Sequence, residues 1–204
     1  MALQPTLRPF ILGNPAAPHT LDIFLDYVCP FSRKMSNNLN LTVKPLIERG
    51  GKYDGKVKAI IRQQVQPWHS SSTLVHEIAL AVARVSPEKF WEFHLALMNG
   101  QEDFYDIPSS NRTPTLTRAK LIELALPIVG EDKREALAEL ISHKSTPNGG
   151  TAVTDELKYT IKFSRQNSIH VSPTVLWDGL VASEISSSWG EKEWTTFLES
   201  KVLV

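Results

Sequence analysis

Asp26-Tyr27-Val28-Cys29-Pro30-Phe31-Ser32 is the stretch on which the reading of this chain turns. Ahead of it, Thr20 to Val28 is rich in aliphatic and aromatic residues over a length that suits a buried strand better than a helix. Pro30 suits the first position of a helix, where its missing N–H would have had no partner, so Cys29 falls at or beside the N-cap. A sulfur placed there lies near the unpaired N–H groups of Phe31 and Ser32 and near the positive end of the helix dipole, and both favour thiolate over thiol. By residue type alone a lone cysteine is more often a small buried apolar residue than a reactive thiol. Its junction between strand and helix makes Cys29 a candidate nucleophile.

The flanking sequence supplies the remaining elements. Gly13-Asn14-Pro15-Ala16-Ala17-Pro18 reads as an extended, turn-like entry to the strand. After Cys29, apolar residues at Met35, Leu39, Val43 and Leu46-Ile47 keep helical spacing as far as Gly50-Gly51, with Pro45 expected to kink or divide the helix. Val57 to Val65 reads as a second strand, completing a β-α-β unit. From Pro67 to about Thr146 the pattern is helical throughout. Leu74, Ile78, Ala81 and Val85 share one face, and Phe90, Phe93 and Leu97 another. Ser86-Pro87-Glu88 is predicted to cap the second of these helices, with Val85 and Phe90 placed as a hydrophobic staple. Two further amphipathic helices are marked by Leu116, Leu121 and Leu124, and by Leu137, Leu140 and Ile141. Pro147-Asn148-Gly149-Gly150 breaks the chain before a helix carrying Val153, Leu157, Ile161 and Phe163. A strand from His170 to Trp177 then meets Asp178-Gly179, a hairpin signal, and Leu180-Val181-Ala182. Ser188-Trp189-Gly190-Glu191 reads as a capping box for a last helix whose core side is Trp194, Phe197 and Leu198.

With these elements placed, Cys29-Pro30-Phe31-Ser32 resembles the Cys-Pro-x-Cys active site of the DsbA-like branch of thioredoxin-fold proteins. Asp26-Tyr27-Val28-Cys29-Pro30 is similar to the Asp-Tyr-x-Cys-Pro form common at the end of that branch's first core strand. Gly13 to Pro18 and Lys89-Phe90-Trp91 to His94 resemble further phrases of the same family. The resemblance implies an α/β chain: a thioredoxin fold with an inserted all-helical subdomain, the core formed by residues 1–66 and 147–204 and the insertion by 67–146. It also implies that Pro173, in Ser172-Pro173-Thr174, is a cis-proline lying against the reactive cysteine. The backbone of Ser172 would then be free to pair with an extended peptide or with glutathione, and Pro30 and Phe31 would flank the same groove. Two positions depart from the family pattern. Ser32 stands where dithiol members carry a second cysteine, and Ile23 stands where many carry a buried acid. Neither Asp22, which alternation puts on the opposite strand face from Ile23, nor Asp26, near the strand's end, is an obvious substitute.

The departures limit the chemistry. With one cysteine in 204 residues, neither an intramolecular disulfide nor a cysteine-rich metal site can form within the chain. His19, His76, His94, His143 and His170 show no ligand spacing, so no metal is expected, and His170 is the one closest to the Pro173 loop. Ser32 cannot resolve a mixed disulfide, but its hydroxyl is expected to donate a hydrogen bond to the Cys29 sulfur. The expected activity is therefore thiol–disulfide exchange by one thiol, with Cys29 as nucleophile, Ser32 in support, glutathione as co-substrate and no tightly bound cofactor. Three alternatives compete with it. One is a redox-inactive binding module. Another is a kappa-class-like glutathione transferase or isomerase in which Arg33, Lys34 or His69 meets the glutathione carboxylates. The third is a glutathione-bridged iron–sulfur site like that of monothiol glutaredoxins. The expected partners are a thiol-containing peptide, a protein or glutathione. Zero net charge argues against nucleic acid and anionic membranes. No apolar run approaches the ~20 residues of a membrane span, and the opening residues lack the pattern of a secretory signal, so a cytoplasmic location is expected. The sequons at Asn40 and Asn111 then read as chance matches. Trp68 and Trp177 are expected in the core, with Trp68-His69 otherwise lining the seam between core and insertion.

Overall fold

A computed structural model describes residues 3–202. Strands β1 (Ile11–Gly13), β2 (His19–Leu25), β3 (Val57–Gln63), β4 (Thr174–Trp177) and β5 (Leu180–Val181) form one sheet in the order β1-β3-β2-β4-β5. β2 and β3 run parallel and the other pairs antiparallel. β2 is the central strand, with Leu21 to Leu25 buried on both faces, which is why that stretch lacks polar alternation. Leu21, Ile23 and Leu25 enter the main core with Val57, Ala59 and Ile61, while Phe24 packs with Ile169, Leu176 and Phe163. Asp22 is paired with Arg62, whose Nε donates to Oδ1 at 2.7 Å. The Arg62 guanidinium in turn lies 4.3 Å from the Phe163 ring centre.

β2 stops at Leu25, short of the predicted Val28. Asp26 to Cys29 forms a turn closed by the Cys29 N–H on the Asp26 carbonyl at 3.1 Å. Helix α1 (Pro30–Asn38) follows, then a wide π-helical turn over Leu39–Val43, then α2 (Lys44–Ile47). The disturbance expected at Pro45 thus falls in the turn ahead of it, where the ladder loosens and Thr42 Oγ1 donates to the Asn38 carbonyl at 2.6 Å.

Between β3 and β4 come α3 (Ser72–Val85), α4 (Phe90–Asn99), α5 (Asp106–Ser109), α6 (Pro114–Val129), α7 (Arg134–Ile141) and α8 (Thr154–Gln166). α3 is buried almost all round, from Val75 through Ala83, and it joins the insertion to the sheet in one continuous apolar core. Ser86 precedes the short 3₁₀ turn Pro87–Lys89 but its side chain makes no capping bond. The cap with a bonded side chain is Thr113, whose Oγ1 accepts from Leu116 N at 3.2 Å at the start of α6.

The Asp178-Gly179 turn has φ of 48° and 86°, the paired positive values of a tight hairpin turn. The Asp178 carboxylate ties the hairpin to β2 by accepting from Thr20 N at 2.8 Å. The last helix, α9 (Glu191–Lys201), opens at Gly190 rather than at Ser188. Glu193 Oε2 accepts the Gly190 N–H at 3.0 Å, while the Ser188 hydroxyl pairs with that of Ser186. The predicted box was displaced because Ser188 lies before the helix, in a turn of its own. Trp177 is half-buried, stacked on His19 and edge-on to Phe197. Trp68 is not core: it is 56% exposed. No helix among the described residues is long and apolar enough to cross a membrane.

Candidate active site

Cys29 is the N-cap of α1, with extended backbone (φ −97°, ψ 120°) and Pro30 following as the first helical residue. Its carbonyl accepts the first intrahelical bond, from Arg33 N at 3.1 Å. The side chain makes no capping bond, so the sulfur is not held by the N–H groups of the first turn. It faces the Ser172 carbonyl instead, to which the thiol donates at 3.4 Å. The peptide bond from Ser172 to Pro173 is cis. Cys29 is 5% exposed, whereas Phe31 beside it is 62% exposed.

Two sequence expectations are corrected here. The Ser32 hydroxyl does not reach the Cys29 sulfur: fully buried, it accepts the Asp26 N–H at 3.1 Å and thereby clamps the turn before the helix. Nor is the Ser172 backbone free. Its carbonyl takes the Cys29 thiol. With the Gln66 amide turned so that both its atoms meet complementary partners, Gln66 Oε1 accepts the Ser172 N–H at 2.9 Å and its Nε2 donates to the His170 carbonyl at 3.1 Å. Gln64 Nε2 donates to the Ile169 carbonyl at 3.4 Å, so β3 and its continuation brace the loop from below. Pro173 and Ser172 are half-buried beside the sulfur, and Pro30 is exposed.

A polar network missed in the sequence lies under the cysteine. Asp26 is completely buried. Its carboxylate accepts from Ser72 Oγ at 2.8 Å and from Val28 N at 3.2 Å, and meets His69 Nδ1 at 2.6 Å. His76 Nε2 lies 3.3 Å away, without hydrogen-bond geometry. Burial pushes the Asp26 carboxyl up, but His76, His69 and Ser72 together outweigh it and hold the group below its ordinary value, so it is an anion at neutral pH. Beyond Asp26, Tyr27 OH and Ser36 Oγ bracket the fully buried His94 ring at 3.0 and 3.1 Å. Burial, with a lesser push from His76, takes His94 down to about 3, so the ring is neutral.

A family model described as thioredoxin matches residues 6–199. The chain belongs to the thioredoxin family. Within that family its fold is DsbA-like, a sheet core carrying the helical insertion. A provisionally named protein-disulfide isomerase from Pseudomonas syringae is 26% identical, with a TM-score of 0.72 over 95% of this chain and 99% of that one. BdbD from Bacillus subtilis, in its oxidised form, is 21% identical with a TM-score of 0.65 over 98% and 96%. The thiol-disulfide exchange protein alpha-DsbA2 from Wolbachia pipientis is 18% identical with a TM-score of 0.62 over 93% and 85%. A search of curated proteins gives no significant match.

In this thioredoxin-family protein a cleft of about 410 Å³ opens beside the cysteine, lined by Val28, Pro30, His69, Tyr105, Ile107 and neighbouring residues. Exposed apolar side chains lie in it or one residue from its edge: Phe31, Trp68 and Ile107, with Val171 next to Ser172. Of the side chains considered for glutathione carboxylates, Arg33 is engaged with Glu102 at 2.7 Å, His69 is held by Asp26, and Lys34 is exposed. Among the described residues no group of three or more His, Cys, Asp or Glu side chains could hold a metal ion.

Proposed function

We propose that this protein is a thiol–disulfide oxidoreductase that works with a single thiol and relies on glutathione to complete each cycle. The observation that carries the reading is the position of Cys29, at the mouth of α1 and 3.4 Å from the Ser172 carbonyl, with the buried Ser32 where a second thiol would be needed. In the first half-reaction the Cys29 thiolate attacks the glutathionyl sulfur of a mixed disulfide and releases the substrate thiolate. In the second, the sulfur of a free glutathione attacks the same glutathionyl sulfur, Cys29 leaves as thiolate, and glutathione disulfide departs. Ser32 forms no S–S bond, so no internal route competes with the outside thiol. A glutathione-rich compartment such as the cytosol supplies that thiol at the potential the cycle needs. The exposed apolar side chains of Phe31, Trp68 and Ile107 in or beside the cleft suit a peptide or protein substrate better than a small polar one.

Ser32→Cys tests the reading. Positions three apart at a helix start stand close enough for a disulfide. The variant is expected to form an internal disulfide on oxidation and to reduce a second equivalent of glutathionylated peptide when a dithiol replaces glutathione. Wild type, deprived of glutathione, stops after one equivalent. Wild type that turns over as fast with a dithiol reductant as with glutathione at equal thiol concentration would contradict the reliance on glutathione.

A further inference from the structure

The single-thiol cycle leaves one step without help, and the reading that follows rests on that cycle. Glutathione arriving to release Cys29 brings a thiol, not a thiolate. With an ordinary cysteine value near 8.5, only about 3% of it is ionised at pH 7. A built-in second cysteine would be placed and activated by the fold; an incoming one must be deprotonated where it lands.

The cleft beside Cys29 holds a group suited to that task. His69 is 24% exposed at its side chain and lines the cleft with Val28 and Pro30, the residues on either side of Cys29. Its Nδ1 is fixed at 2.6 Å on Asp26 Oδ2, and Nε2 has no hydrogen-bond partner among the described residues. Asp26 is itself immobilised by Ser72 Oγ and the Val28 N–H. A carboxylate accepting Nδ1–H sets the tautomer that leaves Nε2 with a lone pair. The charged and titratable groups around this pair are His76 on α3, Asp106 at the start of α5 and, lining the same cleft, Tyr105, whose own charged neighbours are Arg33, Glu102 and Cys29.

We propose that His69, oriented by Asp26, is the general base that takes the proton from the incoming thiol in the release step. The thiol S–H bond breaks toward His69 Nε2 as the sulfur attacks the glutathionyl sulfur. The disulfide to Cys29 breaks, Cys29 departs as thiolate, and the imidazolium returns its proton to solvent. No oxidant or reductant beyond glutathione and the mixed disulfide is consumed. His69 is the catalytic residue of this step and Asp26 its positioning residue.

The test uses the full chain carrying glutathione on Cys29, and follows release of glutathione disulfide from pH 5.5 to 9.5. His69→Asn keeps a donor for Asp26 and removes the base, and His69→Gln is a second variant should the first unfold. Both variants are expected to release roughly 10- to 30-fold more slowly than wild type at pH 7, the bound set by the thiolate fraction. The difference should close above pH 9, where the thiol ionises unaided. With trifluoroethanethiol, a more acidic thiol, the gap at pH 7 should shrink in proportion to its larger ionised fraction. An adduct that forms normally and leaves with the same pH profile in wild type and variants overturns the base while the single-thiol cycle stands. A wild-type protein that never takes up glutathione overturns both.

Discussion

Cys29→Ser is expected to abolish catalysed thiol–disulfide exchange and leave the fold intact. The hydroxyl has no route to an S–S bond, so the rate of glutathione-dependent reduction of a glutathionylated peptide should fall to the uncatalysed rate, a loss of at least about 10²-fold. The fold should tolerate the change because serine is nearly isosteric and its Oγ–H can take over the bond to the Ser172 carbonyl that the thiol makes at 3.4 Å. Stability should therefore stay within about 1 kcal/mol of wild type by urea unfolding. A variant that folds and still turns over at a substantial fraction of the wild-type rate would remove Cys29 from the mechanism.

His94 should make the fold sensitive to acid. In the unfolded chain a histidine takes its proton near 6.5; in the fold, burial lowers the value to about 3. Between those limits the unfolded state binds more protons than the folded one. The contribution is thus complete above pH 6.5 and is lost as pH falls toward 3, at up to about 1.4 kcal/mol per pH unit. Asp26 acts in a lower window. Its folded value is depressed, so the stability it supplies is present above the ordinary carboxylate value of 3.8 and disappears as pH falls through the folded value. The slope between pH 6 and 4 therefore tests His94 with little interference from Asp26. Urea unfolding at half-unit intervals should show it in wild type and a much shallower slope in His94→Gln, whose amide can still accept from Tyr27 and donate to Ser36. Equal slopes would mean that other groups carry the acid sensitivity.

The elements that define the fold were legible because each rests on a local rule. Pro30 marked the start of α1, Asp178-Gly179 the hairpin, and the unbroken apolar run around Ile23 the central strand. What sequence reading missed depends on contacts between distant segments. Asp26 looked like a residue at a strand's end, yet it is fully buried because Ser72 and His76, on a helix more than forty positions later, close over it. Gln64 and Gln66, one inside the predicted strand and one just past it, carried no signal of a role, and they hold the loop from Ile169 to Ser172. Ser32 was read by analogy with the thiol it replaces. Its hydroxyl instead accepts the N–H of Asp26, a buried donor six residues earlier in the turn before the helix. Trp68 was placed inside by residue type, and it lies exposed near the cleft, where a bound chain can cover it.

The most direct measurement is the intact mass of the reduced protein after mixing with one equivalent of a glutathionylated peptide, quenched with acid at successive times. The expected spectrum gains one glutathionyl group, mapped to Cys29, as free peptide thiol appears, and loses it when glutathione is added. Protein that stays unmodified, or that gains the group no faster than an unstructured cysteine peptide does, would contradict the assignment of Cys29 as the exchanging thiol.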